Sequence, residues 1–401
     1  MSEEHEKPLL RTAEFVALMA LMSSLIALSI DAMLPALPEI GRDLGVQDKN
    51  DVQFIVIALF LGLAFGQVLY GPLSDSVGRK PAIYVGFALF VTGTLLSVFA
   101  TSFSMMLVGR VLQGFGAAGP RIISIALVRD LYEGRAMARI MSLTMSVFIL
   151  VPAIAPALGQ AILLIAHWRM IFGLLLGLAL VAATWFAVRQ PETLPRDRRL
   201  KFSLGRIARA IQEICTNRIS FGYSIAGGLI FGAFIGYLSS VQPILQVQYG
   251  LGELFPGFFA ILALAVGAAS FTNARLVMKY GMQRMVHWAL YGVCGLSWMF
   301  LVVAFVFAGH PPLWAFMTNF TVTFFGMGIL FGNFNSLAME PLGHIAGIGA
   351  AVVGSLMTLI SLSLGTLVSQ SYDGTVVPLV LGFAVYSTVS LLVTKWIGRG
   401  P

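Results

Sequence analysis

The chain has 401 residues, 58% of them hydrophobic and only 11% charged, with a formal net charge of +7. Soluble domains carry about 25% charged residues, so this composition excludes a water-solvated core and makes lipid the solvent. The basic residues sit in short loops between apolar runs, which argues against a nucleic-acid surface.

The start, Met1–Lys7, is acidic. The first apolar run has no small-residue cleavage site and further runs follow it, so it does not read as a removed signal peptide. Apolar runs long enough to cross a bilayer as helices lie at 15–39, 52–71, 81–101, 104–128, 140–164, 168–189, 219–246, 254–276, 285–308, 311–338, 345–370 and 375–397. They predict an all-α membrane protein with twelve transmembrane helices in two pseudo-symmetric halves, 1–189 and 219–401. A polar linker, 190–218, joins the halves. With both termini inside, twenty of the twenty-five Lys and Arg residues fall on the cytoplasmic side, Lys7, Arg11 and Arg399 among them. Only Arg42, Lys49 and Arg169 fall outside, and Arg110 and Arg121 lie within a run.

Cys215 and Cys294 lack metal-ligand spacing. No GxSxG, HExxH or P-loop pattern occurs. No enzyme, metal or cofactor is therefore expected. In the linker, Ile207, Ile211 and Ile214 recur at helical spacing opposite Arg206, Arg209 and Gln212. This reads either as a short interfacial helix on the anionic inner leaflet or as a basic tether. A faint repeat supports two halves: aligning Gly281 with Gly78 places Leu276 on Leu73, while Met278 replaces Asp75.

Several residues stand out as chemistry inside lipid. Asp31 is the one acid well inside a run. A buried carboxylate resists ionisation, which suits a proton carrier. The competing reading is a structural Asp that pairs with an arginine or caps a helix broken near Pro35. Arg110 and Gln113 share one helical face and are expected in the central cavity, with Arg110 toward Asp31. Arg121 follows Arg110 by eleven residues, returning to nearly the same face about 16 Å further along. It either lines the same wall, favouring anionic or hydrogen-bond-accepting substrates, or snorkels to the cytoplasmic surface or pairs with another helix. Pro152 and Pro156 each remove a helix hydrogen bond, and Gly159 permits close packing. Tyr237, Gln242, Asn319 and Asn333 could face the cavity. Between the second and third runs, Gly71-Pro-Leu-Ser-Asp-Ser-Val-Gly-Arg-Lys80 is a short charged island.

That island matches G-x-L-x-D-x-x-G-R-K at Gly71, Leu73, Asp75, Gly78, Arg79 and Lys80, and so resembles the signature loop of the major facilitator superfamily. Arg110, Gln113 and Gly114 match the R-x-x-Q-G of its fourth helix. Asp31, Leu34, Pro35, Ala36, Leu37 and Pro38 resemble the D-M-x-L-P-A-L-P start of Bcr/CflA-type drug:proton antiporters, with Ala32 departing. Pro152, Pro156 and Gly159 resemble the antiporter motif of span 5, and Trp168, Arg169 and Phe172 the family's W-R-x-x-F. The resemblance covers essentially the whole chain. It implies a monomeric inner-membrane antiporter that exports small amphipathic compounds against protons. It further implies that Asp75 meets the N-terminal end of span 11 and Arg79 meets Asp130, both tying the halves together as a gate. Two rivals are a proton-linked transporter of one anionic metabolite, suggested by Arg110 and Arg121, and a non-transporting receptor on the same fold.

Overall fold

The computed structural model describes residues 12–398, so Lys7, Arg11 and Arg399 lie outside the described residues. Among the described residues there is no strand. Twelve α-helices of 20 residues or more follow one another: α1 (Thr12–Asp31), α2 (Phe54–Val77), α3 (Arg79–Val98), α4 (Phe103–Leu131), α5 (Gly134–Leu163), α6 (Arg169–Arg189), α7 (Arg218–Gln242), α8 (Phe255–Tyr280), α9 (Met282–Val306), α10 (Leu313–Met339), α11 (Ala346–Gln370) and α12 (Val377–Ile397). Eleven runs are long and apolar enough to cross a membrane, and one of these, Leu313–Gln370, is 58 residues long. It contains both α10 and α11. A 3₁₀ turn, Glu340–Ile345, with non-helical backbone at Leu342, separates them.

The first apolar run is not one helix. Helix α1 ends at Asp31, a 3₁₀ turn spans Leu34–Ala36, and a short helix Leu37–Asp43 continues outward. Pro35 and Pro38 explain the break, because neither can donate a backbone hydrogen bond. Likewise α7 does not run to 246 as a regular helix. It passes into a π-helical turn, Pro243–Gln248.

The first six helices pack on one another, as do the last six. The two groups meet chiefly along α2–α11 and α5–α8. Ser355 on α11 donates to the Ala64 carbonyl of α2 at 2.8 Å. At the other end of this seam, Asn50 Nδ2 donates to the carbonyls of Gln370 and Tyr372, and Gln370 Nε2 returns a bond to the Asn50 carbonyl at 3.0 Å. The faint repeat has a structural counterpart. Gly78 (φ +107°) and Gly281 (φ +80°) each join two helices end to end in a backbone conformation that L side chains resist.

Between lipid-solvated helices, close approach of backbones replaces the hydrophobic drive of water. The α7–α11 contact shows how. A Cβ on Gly228, Gly232 or Gly236 would lie 2.9, 2.9 and 2.8 Å from Ile360, Leu364 and Val368 respectively. Both series step by four residues, so one ridge of α11 fills one groove of α7.

The linker forms a helix at Leu204–Thr216. Its Ile207, Ala210 and Ile214 are buried against α7 and α11, while Ile211 is exposed. Two residues of the Ile stripe therefore pack on protein, while the third stays exposed. Glu213 also pairs with His344, in the turn before α11, at 2.7 Å.

Gly232→Val should lower the apparent Tm of detergent-purified protein by several degrees, since over-packing costs about 1–3 kcal/mol. Gly177→Val, at a site with nothing within 4 Å of an added Cβ, should leave it unchanged. Equal melting of the two variants would show that the α7–α11 groove has room to relax.

Candidate functional site

Asp31 sits at the C-terminal end of α1, where the helix breaks. It is buried, and its carboxyl makes no hydrogen bond or ion pair with any described residue. Across the boundary between the two helix groups, Tyr237 of α7 is within electrostatic reach of it. The Tyr237 hydroxyl is also buried without a hydrogen-bond partner. On the other side, α5 presses on the residue after Asp31. A Cβ at Gly159 would stand 1.7 Å from the Ala32 carbonyl oxygen. Pro152 and Pro156 lie within α5 two turns and one turn before this contact, and the helix stays continuous from Gly134 to Leu163.

Arg110 is fully buried, yet it is not paired with Asp31. Its Nη2 donates to the Ser29 carbonyl of α1 at 2.8 Å and its Nε to the Ile55 carbonyl of α2 at 3.0 Å. Nη1 donates to Gln113 Oε1 at 2.6 Å. Gln113 Nε2 then donates to Thr94 Oγ1 of α3 at 2.9 Å, and the guanidinium lies 5.7 Å from the Phe172 ring of α6. The expected Asp31–Arg110 contact is therefore corrected: the cation is neutralised by peptide dipoles. The expectation that Arg110 and Gln113 face the cavity is corrected too, because both are sealed inside the first helix group. Carbonyl acceptors leave no trace in a side-chain pattern, which is why sequence reasoning missed them.

The remaining cavity candidates are not gathered on one wall. The Tyr237 ring stacks on Phe259 and Phe320 and meets Phe324 edge-on at 4.6 Å. Asn319 Oδ1 and Thr323 Oγ1, one turn apart on α10, are buried without partners. Gln242 is bonded to Gln246 at 2.8 Å. Asn333 donates to Asn273 of α8 at 2.8 Å and to the Ile329 carbonyl. Asn333 stands fourteen residues from Asn319, about 21 Å along the helix. Arg121 lines a separate crevice between α1, α4 and α5.

The signature loop forms a compact ionic cluster. Arg79 Nε and Nη2 grip both oxygens of Asp130 at 2.9 and 3.3 Å, and Nη1 meets Asp75 at 2.5 Å. All three residues belong to the first helix group, so these pairs do not tie the two groups together. In this structure the carboxylate of Asp75 is held by Arg79 rather than by the start of α11. Gly71 lies close to α11, where an added Cβ would touch Ala351 at 4.0 Å. The linker supplies a residue that sequence reasoning passed over. Glu192 accepts the backbone N–H groups of Arg79 and Lys80 at 2.9 and 3.0 Å, capping α3 where the helix dipole favours an anion. Its neighbour Thr193 donates to Asp130 at 2.8 Å. A Cβ at Gly78 would stand 2.6 Å from Glu192 Oε2, so only glycine admits this cap. An acid right after the sixth apolar run, in an otherwise basic linker, was the available signal.

A polytopic helical bundle in two helix groups, with an unpaired buried carboxyl, fits a transport protein for small molecules. The chain belongs to the Major Facilitator Superfamily, whose family model matches residues 19–395. Among its members it resembles the Bcr/CflA-type proteins. It is 30% identical over 383 residues to the bicyclomycin resistance protein homolog of Haemophilus influenzae, covering 94% of each chain. It is 26% identical over 401 residues to multidrug resistance protein D of Escherichia coli, covering 96% of each. The crystal structure of the human organic anion transporter MFSD10 superposes with a TM-score of 0.72 at 17% identity, over 97% of this chain and 100% of that one, a likeness of fold.

Arg110→Lys should destabilise the protein strongly, because a single ammonium cannot reproduce the planar fork that reaches three acceptors. Asp31→Asn combined with Arg110→Lys should cost the sum of the two single changes within about 0.5 kcal/mol, as for groups without a shared partner. A coupling energy well above that in the double-mutant cycle would restore the direct pair.

Proposed function

We propose that this protein is a proton-coupled antiporter that exports small amphipathic compounds by alternating access. The single observation that carries the reading is Asp31, a buried carboxyl at a helix break with no counter-charge among the described residues. A carboxyl in such a place is stable only when protonated or when water reaches it. Conformations that open it to one side and then the other would let it load and release a proton. The names of the bacterial relatives, which include bicyclomycin and multidrug resistance proteins, support drug-like cargo.

In this proposal all twelve long helices cross the bacterial inner membrane, with both termini cytoplasmic. The units 1–189 and 219–401, joined by 190–218, rock against each other as a monomer. The cross-seam bonds of Asn50 and Gln370 hold the outer end shut, and on the inner side Asp75 is paired with Arg79 within its own helix group. That combination suits an inward-facing conformation. In the outward-facing one, Asp75 would move to the N-terminus of α11.

Asp31→Asn should abolish transport driven by a pH gradient in proteoliposomes while leaving folding and substrate binding intact. Concentrative transport by the Asn variant would remove Asp31 from the coupling role.

Asp75→Asn should weaken the outward-facing state, because a helix N-terminus is worth about 0.3–1 kcal/mol to an exposed anion and up to about 2 when partly buried. Thiol labelling at paired inner and outer cavity positions should then shift toward the inner position by up to roughly one decade, since about 1.4 kcal/mol is tenfold. An unchanged labelling ratio in correctly inserted protein would leave the loop with no part in gating.

A further inference from the structure

Arg121 is the unusual cation of the interior. Arg110 is saturated by two carbonyls and Gln113, Arg79 by Asp75 and Asp130, and Arg169 by the carbonyls of Val98 and Ala100. Arg121 makes no hydrogen bond or ion pair with any described residue, and its guanidinium rests 5.5 Å from the Phe148 ring. It opens into a crevice built by three stripes at helical spacing. Helix α1 gives Met19 and Ser23, α4 gives Arg121, Ser124, Ile125 and Val128, and α5 gives Met141, Thr144, Met145 and Phe148. The Thr144 hydroxyl is buried there without a partner. Ser124 spends its proton on the Pro120 carbonyl. Among the described residues no carboxylate lines the crevice.

From this we infer that Arg121 and Thr144 form a subsite for the anionic group of an amphipathic carboxylic acid, whose apolar body lies on the Met and Phe wall. Three observations converge. A cation without an ion pair and a hydroxyl without a partner are two donors lining one crevice, and a carboxylate accepts from both. The rest of the lining is thioether, aliphatic and aromatic, which adapts to varied apolar shapes. The enclosed part of the crevice is narrow, which suits one small anionic group, with the apolar body lying along the Met and Phe lining. Ser23 precedes Asp31 by eight residues of α1, about 12 Å. Substrate and proton would therefore occupy separate places on one helix rather than compete for one carboxyl.

The inference rests on the transport reading above but is tested apart from it. Purified protein in phosphatidylcholine nanodiscs, which hold no net-anionic lipid to occupy the crevice, is titrated with 1-naphthylacetate, its neutral isostere 1-naphthylacetamide and the cation 1-naphthylmethylammonium. Wild type should bind the acetate at least about tenfold more tightly than the amide, the scale of a charge-assisted hydrogen bond, and the cation most weakly. Arg121→Gln should erase the preference, Arg121→Lys should keep part of it, and Thr144→Val should narrow it. Equal wild-type affinity for acetate and amide overturns the subsite, as does a preference that survives Arg121→Gln. The wild-type comparison decides even where the Gln variant does not fold. Asp31→Asn should keep the acetate preference while losing proton-driven transport. Loss of the preference in wild type with proton-driven efflux of neutral compounds intact would sink the subsite alone. Persistence of that efflux in Asp31→Asn would sink the coupling reading alone.

Discussion

Much of the first helix group depends on how one buried guanidinium is satisfied. Arg110 has five N–H donors and no acid within bonding reach. In lipid it cannot turn to water, so the chain must bring acceptors to it. Those acceptors are the carbonyls of Ser29 and Ile55 and the amide of Gln113, which reaches on to Thr94. One side chain thus fixes α1, α2 and α3 around α4. It also holds the Ser29 carbonyl of α1. Asp31 is left without a counter-charge because the nearby cation is already spent.

The long helices were legible because lipid leaves the backbone few options. Each crossing segment must be apolar, helical and about twenty residues long, and that pattern is written residue by residue. The ionic loop was legible for a related reason, since charges are rare here and Asp75, Arg79 and Asp130 had few possible partners. What could not be read was which partner each one takes. Arg79 reaches both acids at once, so Asp75 is held by its own loop rather than by α11. Backbone acceptors carry no side-chain signature at all, so the surroundings of Arg110 were invisible.

The linker shows the same division from the other direction. The spacing of Ile207 and Ile214 correctly marks the buried face of a helix. Periodicity says that a face is covered but not by what, and here protein covers it rather than lipid. The proline-bearing α5 is a similar case. Pro152, Pro156 and Gly159 signal an unusual helix. That Gly159 touches the residue beside Asp31 follows from the packing of α1 on α5 and from no local rule.

The linker's two attachments lie on different helix groups. Leu200 donates its N–H to the Asp75 carbonyl at 2.9 Å. The helix that begins at Leu204 is moored to α7, α11 and His344. Only residues 201–203 lie between, and Ser203 is already extended at φ −146°, ψ 110°. Three residues reach at most about 11 Å. The strap is therefore short, three residues between its two moorings. Any motion that parts the two groups at this end must unhook one mooring or carry the helix along, so the strap sets a ceiling on the stroke.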